Sequence, residues 1–324
     1  MSRLELRPFA DEHLDAAAEL LAERHRRHRT AEPMLPARFD HAAGAWEGIE
    51  AAWRRDGASG AAGFLDGRLV GYLFGAPDDE AHWGGPNVWV GHAGHAAVEP
   101  ELVRDLYGLA ADRWVDEGRP RHYVQVPASE GELLQAWYRV GFGQQHAAGV
   151  VEVPDAPWPE AVREATPDDV EGVLELTPLI RRHQAGAPVF SANLRVEDPR
   201  AIRASIEKDV AADEVGTLVA EVGGRLVGGF IVAPAEQAGD APHEVTGGLA
   251  RPERAAYLAW AATLPEVRGS GVGVALTDAA FAWARRAGYE TMVTDWRVTN
   301  LLSSRFWPRR GFRTTFLRLY RSIP

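Results

Sequence analysis

The chain writes one order of local signals twice, and that repetition narrows the folds open to it more than any other feature. In the first half Leu4-Glu5-Leu6-Arg7-Pro8 reads as a short strand, and 11–27 as an amphipathic helix with Leu14, Ala17, Leu20 and Leu21 on one face. In the second, Val162-Arg163-Glu164-Ala165-Thr166 precedes a helix from Pro167 carrying Val170, Val173, Leu174 and Leu176. A hairpin follows each: apolar runs flank Asp66-Gly67 in one and Gly223-Gly224 in the other, both tight-turn pairs. Each half continues with a strand ending at a Pro-Glu pair (Pro100-Glu101, Pro265-Glu266), a helix, a strand, a second helix, and a Gly-Phe pair entering the last strand (Gly141-Phe142, Gly311-Phe312). Three prolines between Val153 and Pro159 mark a linker, so the expected division is 1–153, a linker at 154–163, and 164–324.

A length of 324 residues suits two domains, each burying its own core. The apolar share of 46% is ordinary, and no stretch approaches the roughly 20 consecutive apolar residues of a membrane helix. The opening Met1-Ser2-Arg3-Leu4-Glu5 has no apolar run followed by small residues, so no signal peptide is expected and the cytoplasm is the expected location. The absence of cysteine excludes disulfides, thiolate metal sites and a cysteine acyl-enzyme. A net charge of −11 argues against a nucleic-acid partner and is compatible with a cationic substrate. His92 and His95, three apart on a strand, face opposite sides, so packing is expected of them and no metal site. Within 25–29 the run His-Arg-Arg-His-Arg reads as a solvated helix end, and Trp46 and Trp53, seven apart, as a packed helix face.

Arg268-Gly269-Ser270-Gly271-Val272-Gly273 follows a strand and opens a helix whose apolar face is Val272, Leu276, Ala279, Ala280 and Trp283. Glycines let a ligand approach the backbone, and the free amides of a first helical turn point at an anion, so a phosphate or pyrophosphate is the natural guest. A P-loop would need a Gly-Lys-Ser/Thr ending, and a dinucleotide fingerprint would sit in the first βα turn of a parallel sheet; neither context is present.

With Thr263-x-Pro265-Glu266-x-Arg268-Gly269-x-Gly271-x-Gly273, Asn300 after the next strand, and Phe306-Trp307-x-x-x-Gly311-Phe312, the C-terminal half resembles the Gcn5-related N-acetyltransferase family over nearly all of 164–324. The resemblance implies two tandem α/β domains, each a mixed, mostly antiparallel sheet flanked by helices. It gives Arg268, Gly269, Ser270, Gly271, Val272 and Gly273 the coenzyme A pyrophosphate, the backbone of Ala261, Ala262 and Thr263 the pantetheine and acyl carbonyl, and Asn300 a further coenzyme contact. Acetyl-CoA or another acyl-CoA would be the co-substrate, with no metal. The first half keeps the ending but reads Leu102-Val103-Arg104-Asp105-Leu106-Tyr107 where glycines should stand, and is five residues shorter there. Bulky side chains and Asp105 oppose a pyrophosphate, so this copy is expected to be degenerate.

Amide formation from a thioester needs an unprotonated amine, oxyanion donors and a proton for the leaving thiolate. The family's usual tyrosine is replaced here by Trp307, and Trp137 holds the equivalent place in the first half. The base candidates are Glu253, Tyr257 and Asp295; on a regular strand Glu253, Tyr257 and Thr263 would share a face, and a bulge would undo that count. The resulting expectation is transfer of an acetyl group to a small-molecule primary amine in a ternary complex, near Asp295, Tyr257 and the segment at His183. A non-catalytic acyl-CoA-binding regulator or scaffold is the alternative. Nothing in the sequence decides between a monomer and a homo-oligomer.

Overall fold

The computed structural model describes residues 3–79, 84–191, 198–239, 244 and 246–324; Met1 and Ser2, the start of the segment examined for a signal peptide, lie outside them. The first half comprises β1 (Glu5–Pro8), α1 (Leu14–Ala31), α2 (Ala42–Trp53), β2 (Ser59–Leu65), β3 (Arg68–Asp78), β4 (Asn87–Val90), β5 (His95–Ala97), α3 (Leu102–Asp116), β6 (Arg121–Pro127), α4 (Gly131–Arg139) and β7 (Gly143–Glu152). The second comprises β8 (Val162–Glu164), α5 (Val170–Leu176), α6 (Pro178–Ala185), α7 (Pro199–Ala211), β9 (Gly216–Val222), β10 (Arg225–Pro234), β11 (Ala255–Thr263), α8 (Val272–Arg286), β12 (Thr291–Arg297), α9 (Ser303–Arg309) and β13 (Arg313–Ser322). Among the described residues no helix is long and apolar enough to cross a membrane.

Two compact units form, and they are interleaved along the chain. The first takes 1–148, 240–252 and 314–324, the second 149–239 and 253–313. The expected boundary near 153 thus follows chain order, while the contacts assign the last strand to the first unit.

The sheet of the first unit runs β1, β2, β3, β4, β6, β13, with β5 on β3. Its hairpin turns at Asp66 (φ 49°) and Gly67 (φ 78°), positive at both central positions as a type I′ turn requires. β4 and β6 are parallel, whereas β13 lies antiparallel to β6 from Phe316 opposite Pro127 to Ser322 opposite Arg121. Phe316 and Leu319 are wholly buried there. On one face α1 and α2 cover a core that includes Leu21, Ile49, Phe9, Tyr72 and Phe74. Trp46 and Trp53 pack against that core as a helix face, and the Trp53 indole also donates to Asp11.

The run at 25–29 departs from expectation. α1 continues to Ala31, and its i, i+3 spacing turns His25 and His28 inward to 1% exposure while Arg26 and Arg27 stay at the surface. Arg24, also buried, donates to the main-chain oxygens of His92 and His95. His92 packs on Phe316 and His95 on Trp137, so both histidines serve packing. Burial and the nearby Arg24 charge push the His28 and His95 imidazoles down to about 3. Burial pushes His25 and His122 down to about 4.

In the second unit β8, β9, β10 and β11 are successively antiparallel and β12 joins β11 in parallel. The 149–152 end of β7 belongs to this unit, and β7 neighbours β12. Gly223 (φ 61°) and Gly224 (φ 81°) make a second type I′ hairpin. A capping box between Thr166 and Asp169 starts the first helix, whose Val170, Val173 and Leu176 are buried as expected. Pro178 has no N–H to continue the ladder, so the helical segment divides into α5 and α6. α8 buries Leu276, Ala279, Ala280 and Trp283, four of the five residues expected on its apolar face; Val272, at its mouth, is half-exposed.

Two outcomes follow. The folded histidines bind fewer protons than an unfolded chain between pH 6.5 and about 4, so stability is full above 6.5 and falls as pH drops. The loss is about 1.4 kcal/mol per pH unit for each histidine concerned; urea unfolding at stepped pH should show that slope, reduced in His28→Gln. Residues 1–153 produced without the second half lack β13, so they should show no cooperative unfolding by tryptophan fluorescence. Phe316→Ala in the full chain should lose about 3–5 kcal/mol.

Candidate active site

β11 and β12 pair over three residues only, Ala255–Tyr257 against Thr291–Val293, and then part. The cause lies on the other side of β11. Its pairing with β10 shifts register between Ile231 and Val232, which face Trp260 and Leu258 and leave Ala259 without an opposite residue. Such a bulge bends a strand and increases its twist. Ala259 is exposed, and beyond the crotch the β12-facing edge of 259–263 has no ladder partner among the described residues. Thr294 Oγ1 donates to Leu258 O at 3.0 Å, closing the apex of the V.

The bulge also undoes the face count made on a regular strand. Tyr257 pairs with Ala233 and Thr263 with Gly228, and these two positions on β10 lie on opposite faces by alternation. Tyr257 therefore looks towards the side that carries Ile231, Ala233 and the α5 and α7 residues, whereas Thr263 looks towards α8. Glu253 falls outside the strand, exposed in the turn before Ala255, where Arg254 adopts φ 52°. Strand alternation consequently says nothing about where its carboxylate points.

Tyr257 and Asp295 do meet: the phenol donates to Asp295 Oδ1 at 2.7 Å, just past the last paired residues of the V. Both are half-buried.

At the far end of β11, Pro265–Val267 form a single 3-10 turn that delivers the chain to the glycine segment. Gly269 (φ 85°) and Gly271 (φ 96°) occupy left-handed backbone that a side chain would strain, and open space lies where their Cβ atoms would be. The first amide of α8 to reach back is Ala275, to Gly271 O at 3.0 Å. Val272, Gly273 and Val274 precede it and have no intrahelical acceptor. Their N–H groups and the positive end of the helix dipole face a loop whose Arg268, Gly269, Ser270 and Gly271 are all exposed. Ser270 Oγ turns inward to Val267 O at 2.7 Å, bracing the loop. Gly273 is helical, and a Cβ on it would make an ordinary contact with the Phe306 ring at 3.5 Å, which shows how closely α9 approaches the start of α8.

Asn300, in the turn after β12, is occupied on its oxygen. Oδ1 accepts from the amides of Leu302 (3.1 Å) and Ser303 (3.4 Å), which steadies the entry to α9, and lies 2.9 Å from His183 Nε2 on α6. The His183–Asn300 pair was not identified in the sequence, where the two residues stand far apart and only Asn300 belonged to a motif. Trp307 is buried among Phe230, Phe306 and Phe312 as a core residue.

The corresponding region of the first unit is filled. β4 and β6 pair over Asn87–Val90 against Arg121–Val124, and just beyond them His95 Nε2 donates to Gln125 O at 2.9 Å. No glycine turn opens α3, whose first turn carries Asp105.

Comparison with known proteins gives this geometry its context. Residues 184–312 match the Acetyltransferase (GNAT) family. No curated protein matches the sequence. Among solved structures, a GCN5-related N-acetyltransferase from Sphaerobacter thermophilus aligns over 98% of this chain and 95% of its own at a TM-score of 0.59 and 13% identity. A GCN5-related glucosamine N-acetyltransferase region of a fungal multi-domain beta-N-acetylglucosaminidase aligns over 99% of this chain and 38% of its own (TM-score 0.54, 14% identity). A tandem GNAT protein from the clavulanic acid biosynthesis pathway aligns over 99% and 98% (TM-score 0.51, 14% identity). At these identities the likeness is one of fold, and it includes the two-copy arrangement. Residues 184–312 therefore carry the match to the Acetyltransferase (GNAT) family of acyltransferases, and the chain as a whole shares its fold with GNAT proteins that include a tandem one.

Proposed function

We propose that the second unit moves an acetyl or other acyl group from coenzyme A to the primary amine of a small molecule, by direct attack within a ternary complex. The observation that carries this reading is the parted pair β11/β12 ending in a glycine turn at the mouth of α8. The free edge of Ala261, Ala262 and Thr263 suits the amide groups of pantetheine, and the amides of Val272 and Gly273 with the Arg268 guanidinium suit the pyrophosphate. The backbone of the same edge can donate to the developing oxyanion. No cysteine is present to carry the acyl group, in keeping with direct transfer.

Tyr257 and Asp295 sit where the strands part, and their hydrogen bond would place a carboxylate beside an incoming cationic amine. Glu253, exposed and outside the strand, has less to support it as the base. We read the first unit, within the 1–153 stretch, as a copy that does not hold coenzyme; the His95 imidazole closing onto Gln125 and the missing glycines support this. A cytoplasmic location accords with the absence of cysteine. Trp307 in the aromatic core favours a second reading, an acyl-CoA-binding regulator without turnover.

Isothermal titration with acetyl-CoA should give one site per chain. Gly271→Val, strained at φ 96°, and Ser270→Glu, which adds a carboxylate to the loop, should each weaken binding at least 10-fold with circular dichroism unchanged. No binding to the unaltered protein would remove acetyl-CoA as co-substrate. Coenzyme release across a panel of primary amines separates the two readings, since a regulator binds without turnover. For a transferase, Tyr257→Phe should lower kcat on the order of 10-fold or more while leaving acetyl-CoA affinity unchanged.

A further inference from the structure

Asn300 fixes which nitrogen of His183 donates. The oxygen that faces His183 Nε2 at 2.9 Å also accepts two main-chain amides, from Leu302 and Ser303, so it is the carbonyl oxygen of the carboxamide and Nε2 must be the donor. In its uncharged form the ring therefore carries its proton on Nε2 and keeps a lone pair on Nδ1. That nitrogen makes no hydrogen bond with another described residue, and the ring is half-buried. The placement is pointed. α6 packs against β11, and Asn300 stands in the turn that follows β12, so the pair ties together elements belonging to the two strands whose parting makes the cleft. Tyr257, the alternative, has its proton directed at Asp295.

We propose that His183 Nδ1 is the proton acceptor for the amine and that Asn300 is its positioning residue; this rests on the acyl-transfer reading above. An ammonium R–NH3+ gives one proton to Nδ1. The freed lone pair attacks the thioester carbonyl carbon, the C–N bond forms, and the C–S bond breaks with its electron pair leaving on sulfur. The imidazolium returns its proton to that thiolate, giving the free thiol. Of the two remaining amine protons, one passes to solvent and one stays on the amide nitrogen. A single imidazole thereby supplies both the base and the acid, and the missing tyrosine at Trp307 ceases to be an obstacle.

The test uses bromoacetyl-CoA on the full chain, which brings an alkylating carbon to the acyl position. Nδ1 displaces bromide, a C–N bond replaces the C–Br bond, and peptide mass mapping should find one adduct, on His183. Excess acetyl-CoA should block it and His183→Gln should abolish it. With amines that turn over, His183→Gln should lower kcat on the order of 100-fold at unchanged acetyl-CoA affinity, and free imidazole should restore part of the rate of His183→Gly. Bromoacetyl-CoA that competes with acetyl-CoA yet leaves His183 unmodified would overturn the assignment while leaving the acyl-transfer reading intact. If neither thioester binds, the acyl-transfer reading itself fails and the role of His183 with it.

Discussion

The parting of two parallel strands is the constraint on which the second unit is organised. A parallel pair normally continues as long as both backbones stay straight, because each residue added contributes a further hydrogen bond. Here the extra residue at Ala259 bends β11 away after three pairs, leaving main-chain groups that a folded protein would ordinarily satisfy internally. Their solvation is tolerable only at a surface cleft. The same bend sets Tyr257 and Asp295 at the crotch and carries the chain towards the glycine turn and the free amides of α8. One local irregularity thus aligns an edge that can pair with an extended ligand and an anion seat at the end of that edge.

The parts of this site written in short stretches of sequence were legible. Glycines at 269 and 271, a helix directly after them, and the apolar face of that helix all depend on neighbours within one turn, and the structure carries each of them. The two type I′ hairpins were readable for the same reason. The bulge was not, because its register depends on how β10 lies beside β11, and nothing in Ala259 itself marks it. Hence the shared face of Tyr257 and Thr263 dissolved, and Glu253 proved to precede the strand. His183 with Asn300 was hidden likewise: the pairing joins a helix early in the unit to a turn late in it. His25 and His28 misled through composition, since their polar neighbours suggested a solvated end while the helical period placed both against the sheet.

The first unit carries a different set of contacts at the corresponding place. The space beside β4 and β6 is taken by the protein's own groups: His95 donates to Gln125 O, and the buried Arg24 guanidinium satisfies two carbonyls of the neighbouring loop. A buried cation normally costs stability unless its donors are used, and Arg24 uses its two terminal nitrogens on main-chain oxygens. His28 and His95 beside it remain neutral at ordinary pH because burial disfavours the charged ring and, second to that, the guanidinium would repel a further charge. Where the second unit has parted strands, the first has an internally bonded polar core.

The exchange of terminal strands bears on synthesis. A protein emerging from the ribosome ordinarily completes its N-terminal domain while the rest is still being made. Here β6 waits for β13, which follows the whole of the second unit in the chain, so the first unit keeps an open sheet edge until the second has been made. Completion of the first unit therefore depends on synthesis of the second, and a chain broken off before β13 would lack a strand of the half it made first.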